Sequence, residues 1–361
     1  MGVGLPLLQA LSVNEFRAVV AHEFGHYGGG DVTLAPLVYR TRAAIGRTVD
    51  QLRETHFVGL FVWYGRLFMK LTHAVSRQQE FVADAVAARV AGAAAQAAAL
   101  RRVTTAAVAF DDFMEVEVVP VLRAGFLPPL TDGFRTFCES GHVAARIAHL
   151  LREAVASAAS APFDTHPPLG ERLAALGDPP DEPWPRAELA LELLEDPEQA
   201  ARSLLEWNAG HDAVAKLRAI SWAEVGDAVV APAWRSSVAD HGQWLAQFTA
   251  DRLPASMTDL VAVGADLADP REIAVALDDR ARRATYLLGV GVACLLLERG
   301  WKAQTAPGRA AHLVSGAEAI DPFAVVRDLA GGALPTEQWT AHCRSLGIAG
   351  VPLGATPSAT P

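Results

Sequence analysis

The sequence predicts a mainly α-helical protein with a small α+β module near its C-terminal end. Of its 361 residues, 51% are hydrophobic and 20% are charged, which is ample for burying a core in two or three domains. Alanine-rich apolar segments of helical length follow one another along the chain, and glycine and proline clusters separate them. Two strand-like runs, Trp301 to Thr305 and Arg309 to Ser315, flank a turn signal at Pro307 and Gly308.

Composition narrows the classes of partner and ligand. The net charge of -10 and the absence of a dense Lys/Arg tract argue against nucleic acid as a partner. Three widely spaced cysteines predict buried free thiols in a reducing compartment, so a metal site would use histidine and carboxylate: Cys138, Cys294 and Cys343. The longest apolar runs, 57–64 and 286–297, are shorter than the roughly 20 residues that span a bilayer.

The first long helix is predicted from a capping signal and an apolar stripe. Ser12 and Glu15 have the spacing of a capping box, and the helix is expected to end at the glycines 28–30. Within it lies the pentapeptide HEFGH, whose His22 and His26 fall on one face about 6 Å apart along the axis. Both imidazoles could therefore bind one metal ion, with Glu23 beside it.

Residues 31–76 are predicted to be helical and contain an aromatic cluster between Phe57 and Met69. Such a cluster is typical of a core or a helical hairpin. Because arginines precede it in the chain, a contact with a membrane surface is the alternative.

A second helix is predicted from Ser76 to about Ala99, where alanine dominates. Glu80 and Asp84 share one face of it, and two carboxylates at this spacing repel each other unless a cation or donor compensates them. The pair is either a solvated face balanced by Arg77 or Arg89, or part of a metal site.

A third passage, FDTHPPLGER at 163–172, contains a histidine followed by two prolines. The prolines fix the backbone after His166, which suits a side chain that must be held in one direction. From chemistry alone His166 is either a surface residue or a functional one.

The rest of the chain gives an architecture without a catalytic constellation. We expect a first domain at 1–176 that contains the three passages, a proline-rich linker at 177–186, a helical region at 187–269, an α+β module at 270–353 and a disordered tail at 354–361. The predicted elements after the linker are helices at 187–207, 213–249, 270–300, 322–329 and 336–346, together with the two strands.

The passages HEFGH, RQQEFVAD and DTHPPLGERL, in this order, resemble the HExxH, ExxAD and HPP signatures of the HtpX and CAAX prenyl protease type of zinc metallopeptidase. These enzymes are gluzincins of peptidase family M48, and the resemblance covers about residues 2–177. It implies a helical metallopeptidase core that holds one zinc ion per chain.

The resemblance assigns roles to seven side chains. His22, His26 and Glu80 would bind zinc, and Glu23 would act as the general base. Asp84 would accept a hydrogen bond from the far nitrogen of a ligand histidine. In the third motif, His166 would stabilise the oxyanion or block the open zinc position, and Arg172 would support that loop.

The function that the resemblance implies is a zinc-dependent endopeptidase acting on misfolded or membrane-associated polypeptides. Such enzymes carry membrane helices and part of the active-site sheet before HExxH, with the catalytic domain facing the cytoplasm, whereas only 21 residues precede His22 here. We therefore expect an N-terminally truncated form that lacks the substrate-binding edge strand and the helices for membrane association. The alternative is a non-catalytic, zinc-stabilised scaffold or partner-binding fragment.

Overall fold

The computed structural model describes residues 3–28, 77–157, 166–180, 188–267 and 277–354. The predicted helix and aromatic cluster at 31–76, linker residues 181–186, the segment 163–165 and the tail beyond 354 lie outside the described residues. The chain divides into two compact units, unit 1 with residues 1–114 and 138–210 and unit 2 with residues 115–137 and 211–361. The domain boundaries expected from the sequence remain a prediction.

The described residues are mainly α-helical, which confirms the predicted fold class. In chain order the helices are α1 (Leu5–Ala10), α2 (Val13–Gly28), α3 (residues 77–91), α4 (Ala93–Phe113), α5 (Val119–Arg123), α6 (Leu130–Glu139), α7 (Gly141–Ala156), α8 (Leu169–Ala175), α9 (Pro197–Ala209), α10 (His211–Ala215), α11 (Trp222–Val225), α12 (Ala231–Leu245), α13 (Met257–Ala265), α14 (Leu277–Glu298), α15 (Pro322–Ala330) and α16 (Thr336–Ser345). The strands are β1 (Phe126–Leu127), β2 (Arg218–Ala219), β3 (Lys302–Gln304), β4 (His312–Ser315) and β5 (Glu318–Ile320).

Unit 1 is built from helices that pack through small side chains. Helix α4 lies against α1, α2, α7 and α8. One cluster in its core consists mostly of alanine: Leu11, Ala18, Ala21, Ala87 and Ala99. Because alanine adds little bulk beyond the backbone, these helices can approach closely, and that approach determines how the functional side chains meet.

The helix predicted from Ser76 to Ala99 is two helices. Gly92 has a φ angle of 94°, in the region that favours glycine, and it separates α3 from α4. Alanine-rich sequence on both sides hides this break from a propensity argument. The break matters because it turns the start of α4 back towards α3.

Unit 2 is organised around α14, which packs against α12, α13 and α15. The C-terminal half of α14 is apolar on all sides, and Leu288, Val290, Val292 and Leu296 are fully buried. Strands β3, β4 and β5 form an antiparallel sheet in which Ala303 pairs with Leu313, and Leu313 pairs with Ile320. The two predicted strands are thus confirmed, and β5 is a third that the sequence did not reveal.

The helix predicted from Ala213 to Thr249 is interrupted. Arg218 and Ala219 form β2, which pairs in parallel with β1, and Ser221 then caps α11 through a reciprocal capping box with Glu224. A π-helical turn at Gly226–Val230 precedes α12. The three cysteines are free and buried, as predicted.

A second π-helical turn spans Met114–Val118, and all of its residues except Met114 belong to unit 2. Within unit 2, its Glu117 accepts a hydrogen bond from the backbone N–H of Gly308 at 2.8 Å. Burial raises the pKa of Glu117, although that hydrogen bond acts in the opposite direction. The turn predicted at Pro307 and Gly308 is therefore held within unit 2 by a hydrogen bond to a half-buried carboxylate.

Candidate metal centre

The start of α2 is fixed by the predicted capping box. The Ser12 backbone N–H donates to Glu15 Oε2 at 2.7 Å, and the Glu15 N–H donates to Ser12 Oγ at 3.3 Å. Glu15 is fully buried and also accepts from Arg102 Nε of α4 at 3.2 Å. This paired carboxylate sets the register of α2 against α4, and so fixes which face of α2 carries the two histidines.

The two histidines of HEFGH face each other and a carboxylate of α3. His22 Nε2 and His26 Nε2 are 3.2 Å apart. The carboxylate of Glu80 lies 3.5 Å from His22 Nε2 through Oε2, and 3.7 Å from His26 Nε2 through Oε1. Glu80 is buried and both histidines are partly exposed, so the three side chains form a compact polar cluster at the edge of the core.

Gly25 allows α2 to approach α3 closely. A Cβ atom at this position would lie 2.9 Å from Ala83 Cα and 3.2 Å from Ala83 Cβ, both closer than ordinary carbon contacts. The pairing of a glycine with an alanine thus brings His22 and His26 within reach of Glu80. The sequence reasoning did not single out Gly25, although its place between the two histidines was a usable signal.

Asp84 lies one turn after Glu80 and contacts the other ring nitrogen of His22. Its Oδ1 atom is 3.0 Å from His22 Nδ1. Arg172 of α8 holds the same carboxylate in a bidentate grip, with Nη2 at 2.7 Å from Oδ1 and Nε at 2.8 Å from Oδ2. Arg172 Nη2 is also 3.3 Å from Glu80 Oε2, so one guanidinium compensates both carboxylates of α3.

Gln96 is a further member of this network that sequence reasoning missed. It is buried in α4, and its Nε2 donates to Asp84 Oδ1 at 2.8 Å. A single glutamine inside a run of alanines, Ala93 to Ala99, was the available signal.

His166 and Arg172 come from the same short passage but reach the cluster at different points. His166 Nε2 lies 3.5 Å from Glu80 Oε1, and its side chain is 58% exposed. Arg172 forms ion pairs with Glu80 and Asp84 of α3, and its role in supporting the loop remains a prediction. At the surface of the same passage, Arg77 and Glu171 form an exposed ion pair of 2.7 Å.

The electrostatics of the cluster keep both carboxylates ionised at neutral pH. Burial alone would lower the pKa of the His22 ring, but hydrogen bonding to Asp84 and Glu80 raises it to about 9. For Asp84, burial alone would raise the pKa, but hydrogen bonds from Arg172 and His22 outweigh burial and lower the pKa to about 2. The pKa of Glu80 is also lowered, because His22 and Arg172 outweigh its burial.

The cluster opens into a cavity of about 490 Å³ within unit 1. Glu23 is exposed and lines this cavity together with His22 and Glu80. Residues of α4, α7 and the start of α8 form the rest of the lining. Six of these residues are apolar: Ala99, Leu100, Val103, Ala154, Pro168 and Leu169. A mostly apolar cavity with a few convergent polar groups is the usual form of a ligand or active site.

The donor set fits a zinc ion. Donors that share one tetrahedral zinc at about 2.0 to 2.1 Å lie about 3.3 Å apart. The separations of 3.2, 3.5 and 3.7 Å among His22, His26 and Glu80 are close to that value, and one ligand atom from each lies within 4.8 Å of the others. Glu80 Oε2 is buried and, among the described residues, receives no hydrogen bond of good geometry, which suits an oxygen that binds a cation.

Comparison with known proteins assigns a family to the part of the chain that contains this cluster. Residues 1–179 match peptidase family M48. Protease HtpX of Hahella chejuensis is 31% identical over 190 residues, which cover 47% of this chain and 55% of that protein. Protease HtpX homolog of Thiobacillus denitrificans is 32% identical over 195 residues, covering 49% of this chain and 56% of that protein. No solved structure gives a significant match.

The chain thus spans little more than half the length of the curated relatives it matches. In the described part of the chain, no helix is both long and apolar enough to cross a membrane. The resemblance drawn from three short motifs is confirmed by the family match, which covers all three. The N-terminal part of this chain, residues 1–179, belongs to peptidase family M48 as an HtpX-type metallopeptidase domain.

Proposed function

We propose that this protein is a zinc-dependent endopeptidase that hydrolyses peptide bonds in polypeptide substrates. The observation that carries the proposal is the convergence of His22 Nε2, His26 Nε2 and the Glu80 carboxylate on one point beside Glu23. These three side chains would hold one zinc ion per chain. Three protein ligands leave one coordination position open, as in catalytic rather than structural zinc sites.

Zinc at such a site lowers the pKa of water towards about 7 and polarises a carbonyl group. Glu23 follows a proposed ligand directly in the sequence but points into the cavity and not into the ligand cluster. It is therefore placed to take a proton from the attacking water and to deliver it to the leaving amine.

Asp84 and Arg172 would orient the first histidine. Asp84 Oδ1 faces His22 Nδ1 at 3.0 Å and would keep a proton on that nitrogen, so that Nε2, which faces Glu80 and His26, is the nitrogen that would bind the metal. The bidentate contact from Arg172 prevents the carboxylate from rotating away.

For His166, the two roles implied by the resemblance make opposite predictions. As a donor to the oxyanion, its loss by His166→Ala should lower kcat with little change in KM. As a group that blocks the open position in a resting form, its loss should raise activity. The 3.5 Å approach of His166 Nε2 to Glu80 Oε1 motivates both roles.

The substrate class follows from the cavity and from the family. An apolar cavity beside Glu23 suits side chains that are exposed when a protein is misfolded or extracted from a membrane. Access of membrane-associated substrates and a cytoplasm-facing catalytic domain are part of the same proposal, and they rest on the HtpX-type resemblance alone.

The test is Glu23→Gln, with Glu153→Gln on α7 as a control that alters an exposed carboxylate away from the cavity. We expect one zinc per chain by elemental analysis in all three proteins, and cleavage of unfolded casein by the wild type and the control only. Full activity of Glu23→Gln would refute the mechanism. The alternative function, a zinc-stabilised scaffold, predicts one zinc per chain but no cleavage by the wild type at any enzyme concentration.

A further inference from the structure

Gln96 occupies a position where a polar side chain is out of place. It is the single polar residue in the run Ala93 to Ala99, in the first turns of α4. Its side chain is only 1% exposed, and the neighbouring Ala97, Ala98 and Ala99 are buried as well. A buried amide in such a run needs hydrogen-bonding partners to offset the cost of its burial.

Only one half of the Gln96 amide is satisfied. Its Nε2 donates to Asp84 Oδ1 at 2.8 Å. Its Oε1 is buried and accepts no hydrogen bond from any residue that the structure describes. A buried acceptor without a donor costs free energy, so Gln96 works against the stability of the fold unless its remaining hydrogen bond serves another purpose.

The one hydrogen bond that Gln96 makes is directed at the metal centre. Asp84 Oδ1 is approached by His22 of α2, Gln96 of α4 and Arg172 of α8. Because donors from three separate elements meet at one carboxylate, rotation of Asp84 in either direction would break at least one contact. Arg172 holds both oxygens of the carboxylate, while Gln96 adds a neutral donor to the oxygen that faces His22.

We infer that Gln96 is a positioning residue that holds His22 in its metal-binding orientation through Asp84, at a cost to the stability of the metal-free fold. The inference rests on the proposed metal site. The two possible roles of Gln96 differ in the sign of one quantity, the change in metal-free stability when Gln96 is replaced. Replacing a structural glutamine would lower that stability, whereas replacing this positioning residue should not.

The test uses Gln96→Leu and the unbranched Gln96→Met, which covers the case in which leucine does not fit. Thr105→Val is the matched control: Thr105 is on the same helix, is 7% exposed and hydrogen-bonds only to backbone carbonyls of its own helix among the described residues. Zinc affinity is measured by competition with a chromophoric chelator, and the Tm of metal-free protein by circular dichroism.

We expect both Gln96 variants to bind zinc about 10 to 100-fold more weakly, with an unchanged or higher metal-free Tm. Thr105→Val should bind zinc within about twofold of the wild type. Wild-type zinc affinity in both Gln96 variants, or weaker binding that accompanies a lower metal-free Tm, would overturn the inference. If the wild type itself binds no zinc, the proposed function fails first, so the two failures are distinguishable.

Discussion

Replacing Gly25 with alanine should weaken zinc binding, because the added Cβ forces apart the two helices that carry the proposed ligands. The added Cβ would lie 2.9 Å from Ala83 Cα, whereas non-bonded carbons prefer about 3.5 Å or more. The obstructing atom belongs to the backbone, so no side-chain rotation relieves the contact. Helices α2 and α3 must therefore separate locally by about 0.6 Å, the difference between these two distances.

This displacement acts directly on the donor atoms. His22 and His26 are on α2 and Glu80 is on α3, so the shift adds to separations that are already 3.5 and 3.7 Å. Metal sites tolerate errors of about 0.2 Å in ligand distance, and the expected shift is about three times larger. We expect zinc affinity to fall by about tenfold or more. Overpacking costs about 1 to 3 kcal/mol, and the helix propensity of alanine offsets up to about 1 kcal/mol of it.

Gly141→Ala is the control for the glycine substitution itself. Gly141 begins α7, and a Cβ added there would meet no atom within 4 Å. This variant should be as stable as the wild type or more stable by up to about 1 kcal/mol, with unchanged zinc affinity. Urea unfolding of metal-free protein and chelator competition give both quantities. Wild-type zinc affinity in Gly25→Ala would show that the approach of the two helices does not set the donor distances.

Three further substitutions test other parts of the structure. Arg172→Leu removes the guanidinium shared by two buried carboxylates, Glu80 and Asp84, and should destabilise the protein by about 3 kcal/mol or more. Arg77→Leu, in an exposed ion pair, should cost at most about 1 kcal/mol, and similar losses for the two variants in urea unfolding would contradict this. Glu117→Gln should stabilise the protein at pH 7 but not at pH 4. Because burial raises the pKa of Glu117, the contribution of this side chain to the free energy of unfolding is fully present below pH 4.5 and is lost as pH rises. Glutamine stays neutral and keeps the acceptor for the Gly308 N–H, so parallel pH profiles of unfolding for the two proteins would exclude this account. Val103→Trp should fill the cavity and lower kcat/KM for casein about tenfold. Val108→Trp, at a similarly exposed position of α4 that does not line the cavity, should leave kcat/KM unchanged. Equal activities of the two variants would show that the substrate does not bind in this cavity.

The sequence identified the side chains that meet at the candidate site better than it identified the residues that position them. HExxH, the two carboxylates on one helix face and the HPP passage identify side chains that the structure brings together around Glu80. Each of these signals is a local spacing, which a helix converts directly into geometry. Gln96 and Gly25 stand out only as a lone glutamine among alanines and as a glycine between the two histidines, and neither feature is a ligand spacing. Their importance depends on which helices touch, and that is decided by packing between segments far apart in the chain.

In the fold, too, elements encoded by neighbouring residues were predicted, and elements that depend on distant pairing were not. Strands β3 and β4 were predictable because the turn between them is encoded in adjacent residues. The two-residue strand β2 was not, since it exists only through pairing with β1, about 90 residues earlier in the chain. Gly92 is an intermediate case. A glycine between alanine-rich segments marks a weak point, but only the positive φ shows that the chain turns there.

The two carboxylates of α3 show why the three motifs act as one unit. At an i, i+4 spacing Glu80 and Asp84 should repel, and the sequence left open whether an arginine of the same helix or a metal relieves the repulsion. In the structure, the arginine that contacts both carboxylates is Arg172 of the third motif, 88 residues after Asp84. Asp84 in turn contacts His22 from the first motif. Each motif thus supplies a contact partner for another, so the effects of substitutions at His22, Asp84 and Arg172 on zinc affinity should not be additive. A double-mutant cycle on zinc affinity should show coupling between His22 and Arg172, because both side chains contact the Asp84 carboxylate.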